Sequence, residues 1–565
     1  MRCAFVRPGW VDGACIPSNF PGMRTACSGW PTGDMFPLQE RTLAGSPGLI
    51  CPVCDDSSFS YRFVVHGLPI AACRGCGQIA LGIRPRTPDF SEFYRLTPAP
   101  PAPLSAPADS ETERDASVRY VEALAARGVT SGNVLLVGSP ERRKSVQAFK
   151  TEAKRKGLSI DYIDFAERAD LPSGPYEAAV VLHCLQAAET PGALLREIHS
   201  HLRPAAPLLL TVPDVESWPA GFFGQQWTEW RPENRFYFDR RNIQLLLLRY
   251  GFSNVLVRSD RRLYTLDHVH ERASASRRSL LTRSISVLHG MLPGIARRTR
   301  LRIRTSGMIA TAAAAERRGK RKCTIVVPAF NESSSFPTLM DALLEKQLPG
   351  IEREIIVVES NSTDGTREIA KRYASHPDVK LILEDRPRGK GRAVREGFRH
   401  ATGDIILIQD ADLEYDLNDY DSLLAPIISN RCLFVLGTRH GGNWKMRKFQ
   451  DQEGISTALN FGHVFFTGVI NVLYGQRMRD PFTMFKVFHR DCLYGLNLEC
   501  NRFDFDHELV IKLVRKGYTP LEIPVNYYSR SFREGKKIRV FRDPFGWLWI
   551  DLKLRFQRAI PKELS

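Results

Sequence analysis

Two stretches of the chain alternate short apolar runs with longer amphipathic segments. In the first, from about residue 111 to 257, the runs NVLLVG, AAVVLH and PLLLTVP have the usual length of a buried strand. The alternation restarts at residue 323 with CTIVVPAF and continues with EIIVVE and DIILIQ. Strands that alternate with helices predict parallel α/β sheets. The pattern therefore predicts two α/β domains in one chain.

The segments outside these two stretches differ in composition. Residues 1–47 are rich in Gly, Pro and Ser without a clean period, which predicts disorder or a misplaced start, and residues 99–108 predict a Pro/Ala linker. Residues 267–321 place arginines in an Ala-rich apolar background, which is typical of a basic amphipathic helix on a membrane or of a solvated linker. Residues 539–565 interleave arginines with aromatics, as an interfacial helix would, unless Trp547 and Trp549 pack against the domain.

The composition is that of a soluble protein with a cationic surplus. Of the 565 residues, 43% are hydrophobic and 25% charged, and no run of about eighteen apolar residues predicts a membrane span. The run Val464 to Tyr474 is better explained as a buried or interfacial helix, and the N-terminus lacks the apolar core of a signal peptide. We therefore predict a cytoplasmic chain. Its net charge of +17 favours an anionic partner, such as acidic lipid headgroups, phosphate-rich substrates or nucleic acid.

Four of the twelve cysteines form two closely spaced pairs, Cys51/Cys54 and Cys73/Cys76. Two C-x-x-C pairs separated by a short hairpin are typical of a tetrahedral zinc site with four thiolate ligands. A reducing compartment also favours a metal site over disulfides. Because all four positions are filled by protein ligands, the zinc is predicted to be structural.

Polar turns follow three of the predicted strands in the second α/β stretch. The carboxyl ends of strands in an open α/β sheet form its ligand site, so these turns predict a binding site. A carboxylate at Glu359 is suited to accept a hydrogen bond from a nucleobase N–H. Alternating carboxylates at Asp410 and Asp412 can hold a hard divalent cation, with a diphosphate completing its shell. Between them, a Gly-rich basic turn at 388–393 offers backbone amides and Lys390 to phosphate oxygens.

The segments PAFNE, VESNSTDGT, GKGRA and QDADLE, in this order, resemble the family 2 glycosyltransferases of the GT-A fold, above all the dolichol- or polyprenyl-phosphate mannosyl- and glucosyltransferases. The resemblance spans residues 323–538. It implies a nucleoside site formed by Pro328, Phe330, Glu332 and Glu359 and a Mg or Mn site formed by Asp410, Asp412 and Glu414. The family more often has an Asp-Asp pair where this chain has Glu359-Ser360, so the nucleobase of the donor stays open.

Further segments extend the resemblance toward an acceptor site. LGTR and DPFTMFK are similar to the family's acceptor segments, with Met484 in place of the usual Gly, and imply that Arg439 and Lys486 face an acceptor phosphate. A lipid phosphate is already an anionic nucleophile and needs only such cations to position it. A sugar hydroxyl would need a carboxylate base, for which Asp480 and Asp506 are the candidates.

The segment YYSRSFREGKK is similar to a cationic clamp of that family on the diphosphate. The residues that the resemblance places in this clamp are Tyr528, Arg530, Lys536 and Lys537.

Residues 176–214 and 236–252 of the first stretch are similar to class I S-adenosylmethionine-dependent methyltransferases, notably those with an N-terminal zinc ribbon. That family's acidic residue and G-x-G-x-G loop are replaced by LVGSPERR, in which only Gly138 remains. Pro140 and the arginines are expected to fill the space of the methionine moiety. Asp164 follows the second strand and is placed to hold ribose hydroxyls, whereas His183 is expected to be structural. A degenerate scaffold is favoured, and S-adenosylmethionine binding is left open.

The sequence thus predicts an α/β protein: a GT-A, Rossmann-like glycosyltransferase domain preceded by a degenerate class I methyltransferase-like Rossmann domain and a small zinc ribbon with four cysteine ligands. The predicted boundaries are 1–47 for the disordered segment, 48–84 for the zinc ribbon, 109–266 for the methyltransferase-like domain, 267–321 for the basic linker, 322–538 for the glycosyltransferase domain and 539–565 for the amphipathic tail.

The leading functional hypothesis is a metal-dependent inverting glycosyltransferase. It would move a hexose from a GDP- or UDP-sugar to a polyprenyl phosphate, with the protein attached peripherally to the anionic inner face of a membrane. Three alternatives stay open: a bifunctional glycosyltransferase and methyltransferase, transfer to a sugar hydroxyl in polysaccharide biosynthesis, and a nucleic-acid-binding protein. No nucleic acid partner is expected, because no aromatic-basic recognition motif accompanies the ribbon.

Overall fold

The computed structural model describes residues 49–65, 67–82, 110–139, 142–165, 171–268, 270, 286–287, 289–316, 320–439, 453–529 and 543–557. These residues form three β-sheets of four, six and seven strands, with helices packed on the two larger ones. The predicted segments 1–47 and 99–108 lie outside the described residues.

The strands, in chain order, are β1 Phe59–Val65, β2 Leu68–Cys73, β3 Ile79–Leu81, β4 Gly132–Gly138, β5 Leu158–Asp164, β6 Ala178–Leu182, β7 Pro207–Pro213, β8 Phe236–Tyr237, β9 Phe252–Thr265, β10 Arg300–Ala314, β11 Lys322–Ala329, β12 Glu352–Glu359, β13 Val379–Leu383, β14 Ile405–Ile408, β15 Phe434–Thr438, β16 Lys486–His489 and β17 Leu521–Pro524. The helices are α1 Ser110–Ala125, α2 Arg143–Arg155, α3 Pro191–Ser200, α4 Trp218–Phe223, α5 Arg240–Arg249, α6 Gly294–Arg298, α7 Phe336–Glu345, α8 Thr366–Tyr373, α9 Lys390–His400, α10 Tyr420–Ile428, α11 Glu453–Tyr474, α12 Asp504–Arg515 and α13 Asp543–Phe556.

The four-stranded sheet, in the order β1-β2-β3-β8, carries the cysteine module. Its fourth strand comes from far along the chain, because Ile79 and Ala80 pair with Tyr237 and Phe236. Arg249, at the end of α5, donates a hydrogen bond to a backbone carbonyl of the module. The cysteine module is therefore built into the neighbouring α/β layer rather than attached by a linker alone.

The six-stranded sheet has the order β5-β4-β6-β7-β10-β9. Its first four strands are parallel, as the alternation of apolar runs predicted. The last two are antiparallel: β10 lies between β7 and β9 and pairs with both. Residues 300–314 are thus a central strand, so the prediction of a linker over 267–321 is wrong for this part.

The sequence of β10 explains why the pattern did not reveal it. Residues 310–314 are mostly alanine, which has little strand preference, yet they are buried between two strands. Residues 300–304 alternate arginine with aliphatic residues and pair with the far end of β9. The alternation of this short piece is the strand signal that the basic composition concealed.

The seven-stranded sheet has the order β13-β12-β11-β14-β16-β15-β17. The four strands from β13 to β14 are parallel, so their carboxyl ends meet at one edge. β16 is antiparallel to both of its neighbours, which makes the sheet mixed. The predicted α/β fold class is confirmed by these two larger sheets.

Contacts join the layers around the six- and seven-stranded sheets. The carboxylate of Asp491, which follows β16, accepts hydrogen bonds from the backbone N–H groups of Asn254 and Val255, the latter at 2.9 Å. Arg127 lies over the ring of Tyr494, with its guanidinium 5.6 Å from the ring centroid. The Asp491 carboxylate and the Arg127–Tyr494 cation–π contact therefore join the six-stranded sheet, near the start of β9, to the residues that follow β16 of the seven-stranded sheet.

Helix α11 contains the apolar run that the sequence assigned to a buried or interfacial helix. In the described part of the chain no helix is both long enough and apolar enough to span a bilayer.

Candidate active site

Two turns at the carboxyl edge of the seven-stranded sheet are locked together by hydrogen bonds. Asn331, in the turn after β11, donates its backbone N–H to the Ser362 hydroxyl and accepts the Thr363 N–H, both at 2.9 Å. The Glu332 N–H donates to the Thr366 hydroxyl at 2.9 Å. Asn331 has a φ of 51°, a left-handed conformation that asparagine tolerates better than most residues. The sequence motifs PAFNE and SNSTDGT are thus two halves of one rigid rim.

Asp364 braces the same rim through its carboxylate. Its oxygens accept the backbone N–H groups of Ser333 at 2.9 Å and of Thr366 at 3.0 Å. Partial burial works against its charge, but these hydrogen bonds outweigh it and lower the pKa of Asp364 to about 2. The side chain therefore acts as a permanently ionised acceptor within the rim.

Glu359, the predicted partner of the nucleobase, is enclosed. Its side chain is fully buried, and it accepts the Ser362 N–H at 2.6 Å and pairs with Arg367. Burial opposes its ionisation, but these hydrogen bonds prevail and hold its pKa below the ordinary value. In this structure the Glu359 side chain has no exposed surface, and its role as the partner of the base stays a prediction. Sequence position placed it at the correct sheet edge but could not reveal the Arg367 that covers it.

The other predicted nucleoside residues lie at the same edge. Pro328 is the second-last residue of β11, and Phe330 and Glu332 follow the strand. All three are half-buried. Ser335 donates to the Glu332 carboxylate at 3.2 Å and to the Ala411 carbonyl at 2.7 Å. Through Ser335 the rim therefore touches the loop that carries the paired aspartates.

The predicted phosphate lysine and the predicted metal ligands lie side by side. Lys390, the first residue of α9, donates a hydrogen bond of 2.7 Å to Asp410. Burial alone would depress the pKa of Lys390, but Asp410, Asp506 and Asp412 together raise it. Gly389 has a φ of 101°, and a Cβ there would collide with a backbone carbonyl, so the turn before Lys390 requires glycine. Glycine is thus what brings the ammonium group close to the carboxylates.

The three predicted Mg or Mn ligands do not form a compact trio. Asp412 accepts the backbone N–H of Glu414 at 3.2 Å, and Tyr527 donates its hydroxyl to the Glu414 carboxylate at 2.8 Å. Of the residues that the structure describes, only the four cysteines bring three or more metal-ligating atoms within 4.8 Å of one another. Mg²⁺ in transferase sites is commonly bound by one or two carboxylates plus substrate phosphates, so Asp410 and Asp412 fit that mode without a third ligand.

Arg439 and Asp480, predicted to serve the acceptor, instead bind each other. The guanidinium of Arg439 donates to both carboxylate oxygens at 2.8 and 2.7 Å, and its backbone N–H adds a third bond at 3.0 Å. The two side chains are 6% and 0% exposed. Burial opposes the charge of Asp480, but the guanidinium outweighs it and holds its pKa far below the usual range. Asp480 is thus the ionised partner of Arg439 in this structure, and its role as a general base stays a prediction.

Lys486 and Asp506 form a second buried pair beside the Lys390 site. Lys486 is fully buried and donates to Asp506 at 2.9 Å. Burial lowers the pKa of Lys486, and the attraction of Asp506 offsets only part of this. Asp506 also lies close enough to Lys390 to raise its pKa. One carboxylate is thus shared between two lysines.

Of the predicted diphosphate clamp, Tyr528 is described: its backbone N–H donates to the Glu414 carbonyl at 2.8 Å, and its side chain is exposed. Arg530, Lys536 and Lys537 lie outside the described residues. The strand before the clamp therefore reaches the aspartate loop, and the clamp itself stays a prediction.

The four cysteines converge as their spacing predicted. The sulfur atoms of Cys51 and Cys76 are 3.4 Å apart and those of Cys54 and Cys73 are 3.5 Å apart. Tetrahedral Zn–S bonds of about 2.3 Å place sulfur atoms about 3.8 Å from one another. The cluster therefore fits a zinc ion with four thiolate ligands, and it leaves no protein ligand position open for chemistry.

The residues predicted to meet S-adenosylmethionine lie at the carboxyl edge of the six-stranded sheet, and Pro140 lies outside the described residues. Gly138 and Asp164 are neighbours at the carboxyl ends of β4 and β5. A Cβ on Gly138 would lie 2.7 Å from the Val146 side chain of α2, so this glycine lets α2 pack close to the strand end. His183, at the end of β6, has a pKa well below its ordinary value because of burial and the positive charges of nearby arginines, Arg142 first among them.

The two larger sheets define two α/β units, and the seven-stranded one brings acidic and basic side chains together at its carboxyl edge. Residues 324–494 match the family model described as glycosyl transferase family 2. Residues 115–257 match a model described as a methyltransferase domain. Residues 324–494 therefore form a domain of the family 2 glycosyltransferases, which are enzymes. A methyltransferase-like domain precedes it, as the resemblances implied.

The curated relatives named here each match less than half of this chain. The dolichyl-phosphate beta-glucosyltransferase ALG5C of Trichomonas vaginalis is 31% identical over 36% of this chain and 63% of its own length. The dolichol-phosphate mannosyltransferase of Pyrococcus furiosus is 27% identical over 38% of this chain and 59% of its own. The chain thus spans less than two thirds of each. A solved structure, glucosyl-3-phosphoglycerate synthase from Mycobacterium tuberculosis, is 18% identical over 43% of this chain and 80% of its own, with a TM-score of 0.32.

Sequence reasoning missed several side chains that shape the site. Arg367, Ser335 and Tyr527 hold Glu359, the aspartate loop and Glu414, respectively. Each lies in or beside a motif that the sequence did identify, but the motif supplied no partner for it. Only the strand-end rule could have pointed to further polar groups at this edge, such as the carboxylate directly after β13.

Proposed function

We propose that the protein is a metal-dependent inverting glycosyltransferase that moves a hexose from a GDP- or UDP-sugar to a polyprenyl phosphate. The observation that carries the proposal is the junction of the nucleoside rim, Lys390 and the Asp410–Asp412 loop, which share hydrogen bonds at one sheet edge. The family 2 match over residues 324–494 and the names of the dolichyl-phosphate relatives support the reaction and the acceptor.

The described side chains divide the work of the reaction. The rim from Pro328 to Glu332 would hold the nucleoside, and Lys390 would lie beside the diphosphate. A bound Mg or Mn, held by Asp410 and Asp412, would offset the charge of the departing nucleoside diphosphate. Because Lys390 lies against Asp410, its ammonium group would be close enough to donate hydrogen bonds to the diphosphate oxygens of a bound donor.

The state of the acidic residues favours an acceptor that is already anionic. Asp480 is neutralised by Arg439, so of the two candidate bases only Asp506 stays available for a hydroxyl acceptor. Asp506 is itself paired with Lys486. A phosphate nucleophile requires neither carboxylate as a base, which is why a polyprenyl phosphate is preferred to the alternative of a sugar hydroxyl.

Two adjacent helices expose an apolar face that suits a lipid surface. Helices α11 and α13 pack through an edge-to-face contact between Phe466 and Trp547, and Trp547 also stacks on His507. Trp549, in contrast, is 69% exposed. Trp547 therefore packs against the domain, whereas Trp549 is exposed as it would be in an interfacial helix. We define the apolar face by its exposed members, Phe461, Val464, Phe465 and Val472 of α11 and Leu548, Trp549, Leu552 and Phe556 of α13.

The proposal is that the apolar face lies in the headgroup region of a membrane and brings the site to its lipid acceptor. On each helix these residues form one stripe at helical spacing, and Lys553 and Arg555 flank the stripe of α13. Aromatic and aliphatic side chains beside cations are typical of helices that lie in the interface of anionic bilayers. The net charge of +17 supports the same partner.

Vesicle sedimentation tests the membrane step. Trp549→Asp combined with Phe556→Asp should lower binding to vesicles of phosphatidylcholine with about 30% phosphatidylglycerol by about 100-fold or more, since the two rings would no longer bury their exposed area on insertion. Tyr61→Asp, at an exposed aromatic position in the four-stranded sheet, is the matched control. Equal binding by all three proteins would contradict the proposed attachment.

Donor turnover tests the transferase itself. The purified chain would be incubated with Mn²⁺ or Mg²⁺ and a panel of UDP- and GDP-hexoses, and nucleotide release would be measured. Asp412→Asn should reduce release by about 100-fold or more, because the diphosphate charge is left without its metal. Asp416→Asn, a nearby acidic residue that only caps a short turn, should leave it unchanged. Release that is insensitive to Asp412 would contradict the site.

For the N-terminal half we propose an inactive platform rather than a second enzyme. The side chain of Val146 lies against Gly138, and Arg142 at the start of α2 is 3.8 Å from Glu229 across the same edge. S-adenosylmethionine carries a cationic sulfonium, which a site with several arginines disfavours. Calorimetry should detect no binding of S-adenosylmethionine, whereas micromolar affinity would revive the bifunctional alternative.

A further inference from the structure

The enclosure of Glu359 leaves the nucleoside rim without the acidic partner that the sequence assigned to the base. Both oxygens of Glu359 are engaged within the protein, and its side chain has no exposed surface. The next residue, Ser360, is also buried, and its backbone N–H donates to the Ala329 carbonyl at 3.0 Å. Ser360 therefore lies directly beside the turn that begins at β11.

We propose that Glu384 is the carboxylate that recognises the nucleobase of the donor. Glu384 directly follows β13, the parallel neighbour of β12, so it ends a strand at the same sheet edge. Its Oε2 accepts the hydroxyl of Ser360 at 2.7 Å. Unlike Glu359 it is half-exposed, so a ligand at the rim can reach it. The inference rests on the proposed function, because it names the donor contact of that same site.

The backbone around Glu384 is fixed, which suits a recognition residue. Its N–H donates to the Glu359 carbonyl at 2.8 Å, and Arg367 binds the Glu384 carbonyl as well as the Glu359 carboxylate. Arg367 thus binds the carboxylate of Glu359 and also fixes the backbone at the end of β13, which carries Glu384. The Ser360 hydroxyl donates to one oxygen of the Glu384 carboxylate and so orients the other for a ligand.

The chemistry of an acceptor-only carboxylate defines the bases that it selects. Uracil presents an N3–H, and guanine presents an N1–H and an N2–H₂. Each of these groups can donate a hydrogen bond to a carboxylate. Adenine and cytosine present a lone pair at the corresponding ring nitrogen, which a carboxylate repels. Glu384 would therefore favour UDP- and GDP-sugars and reject ADP- and CDP-sugars. The charge of the carboxylate gives such discrimination its strength, because it strengthens a hydrogen bond from a donor.

Methylated nucleotides test this contact directly. For the donor that the wild-type protein uses, competitive inhibition would be measured with the parent nucleoside diphosphate and with its base-methylated form, 3-methyl-UDP or 1-methyl-GDP. In the wild-type protein, methylation should weaken inhibition by about tenfold or more, the effect of losing a hydrogen bond to a charged group. Glu384→Ala should weaken inhibition by the parent nucleotide by a similar factor. It should leave inhibition by the methylated nucleotide unchanged, because the substitution and the methylation remove the same hydrogen bond.

Kinetics with the donor give an independent readout. Glu384→Gln should raise KM for the nucleotide sugar about tenfold while kcat stays within about threefold, since the base is remote from the reacting carbon. Asp385→Asn, the exposed acidic neighbour, is the matched control and should behave as wild type.

The outcomes separate this inference from the proposed function. Equal inhibition of the wild-type protein by the parent and the methylated nucleotide would overturn the role of Glu384, as would parental KM and inhibition in both Glu384 variants. A wild-type protein that binds no nucleoside diphosphate would refute the proposed function, and the inference with it.

Discussion

The Arg439–Asp480 pair offers a test of whether the structure assigns Asp480 correctly. Asp480→Asn keeps the size of the side chain but removes the charge that balances a guanidinium of 6% exposure. Breaking one half of a buried, hydrogen-bonded ion pair costs about 3–5 kcal/mol, because the remaining charge is left without a counter-ion. A domain of this size changes its melting temperature by about 2–4 °C per kcal/mol. We therefore expect a decrease of about 6–20 °C.

The assay is thermal unfolding of the full chain, followed by the fluorescence of its tryptophans and by calorimetry. A more exposed pair serves as the control: Lys346 and Asp421 are 2.9 Å apart, and Asp421 is 61% exposed. Asp421→Asn should cost no more than about 1 kcal/mol, because an exposed ion pair contributes little.

A double variant, Arg439→Gln with Asp480→Asn, refines the measurement. It should be more stable than the sum of the two single changes implies, because removing both charges leaves neither unpaired. An Asp480→Asn protein that melts within about 2 °C of wild type but transfers sugar about a thousand times more slowly would refute the reasoning. That result would return Asp480 to the role of general base.

Three further predictions follow from the described contacts. Cys73→Ser should reduce the zinc content from about one ion per chain, measured by atomic emission, and should lower the melting temperature, because the cysteine module shares β8 with the next layer. Gly138→Ala should destabilise the protein by about 1–3 kcal/mol in denaturant unfolding, since its Cβ would lie 2.7 Å from Val146, whereas donor turnover should persist. Gly391→Ala should impair both folding and donor turnover, because its Cβ would overlap Phe505 of the helix that carries Asp506.

The elements that sequence patterns predicted best are those defined by local order. Apolar runs followed by polar turns identified β11, β12 and β14. The strand-end rule predicted the position of Asp410 and the Gly-rich turn that of Lys390, and the two side chains lie 2.7 Å apart. The cysteine spacing likewise predicted the thiol cluster. In these cases the residues that define the feature are close in sequence, or their strands lie side by side in a parallel sheet.

What the sequence did not reveal depends on partners that no local sequence pattern identifies. Nothing in the LGTR segment indicates that Arg439 would be bound by a carboxylate 41 residues away, and nothing near Glu359 indicates that Arg367 would fold back over it. β10 was missed because an alanine-rich strand becomes a strand only through its two neighbours. Tertiary packing determined each of these outcomes.

Product analysis decides whether the protein transfers a hexose to a polyprenyl phosphate. The wild-type chain would be incubated with a radiolabelled UDP- or GDP-hexose, Mn²⁺ and polyprenyl phosphate in anionic vesicles, and label would be counted in the organic phase. We predict a labelled lipid from at least one donor, and its loss when Asp410 and Asp412 are both changed to Asn. Nucleotide release without labelled lipid in the wild-type reaction would contradict the proposed acceptor, and the absence of both would contradict the proposed transferase.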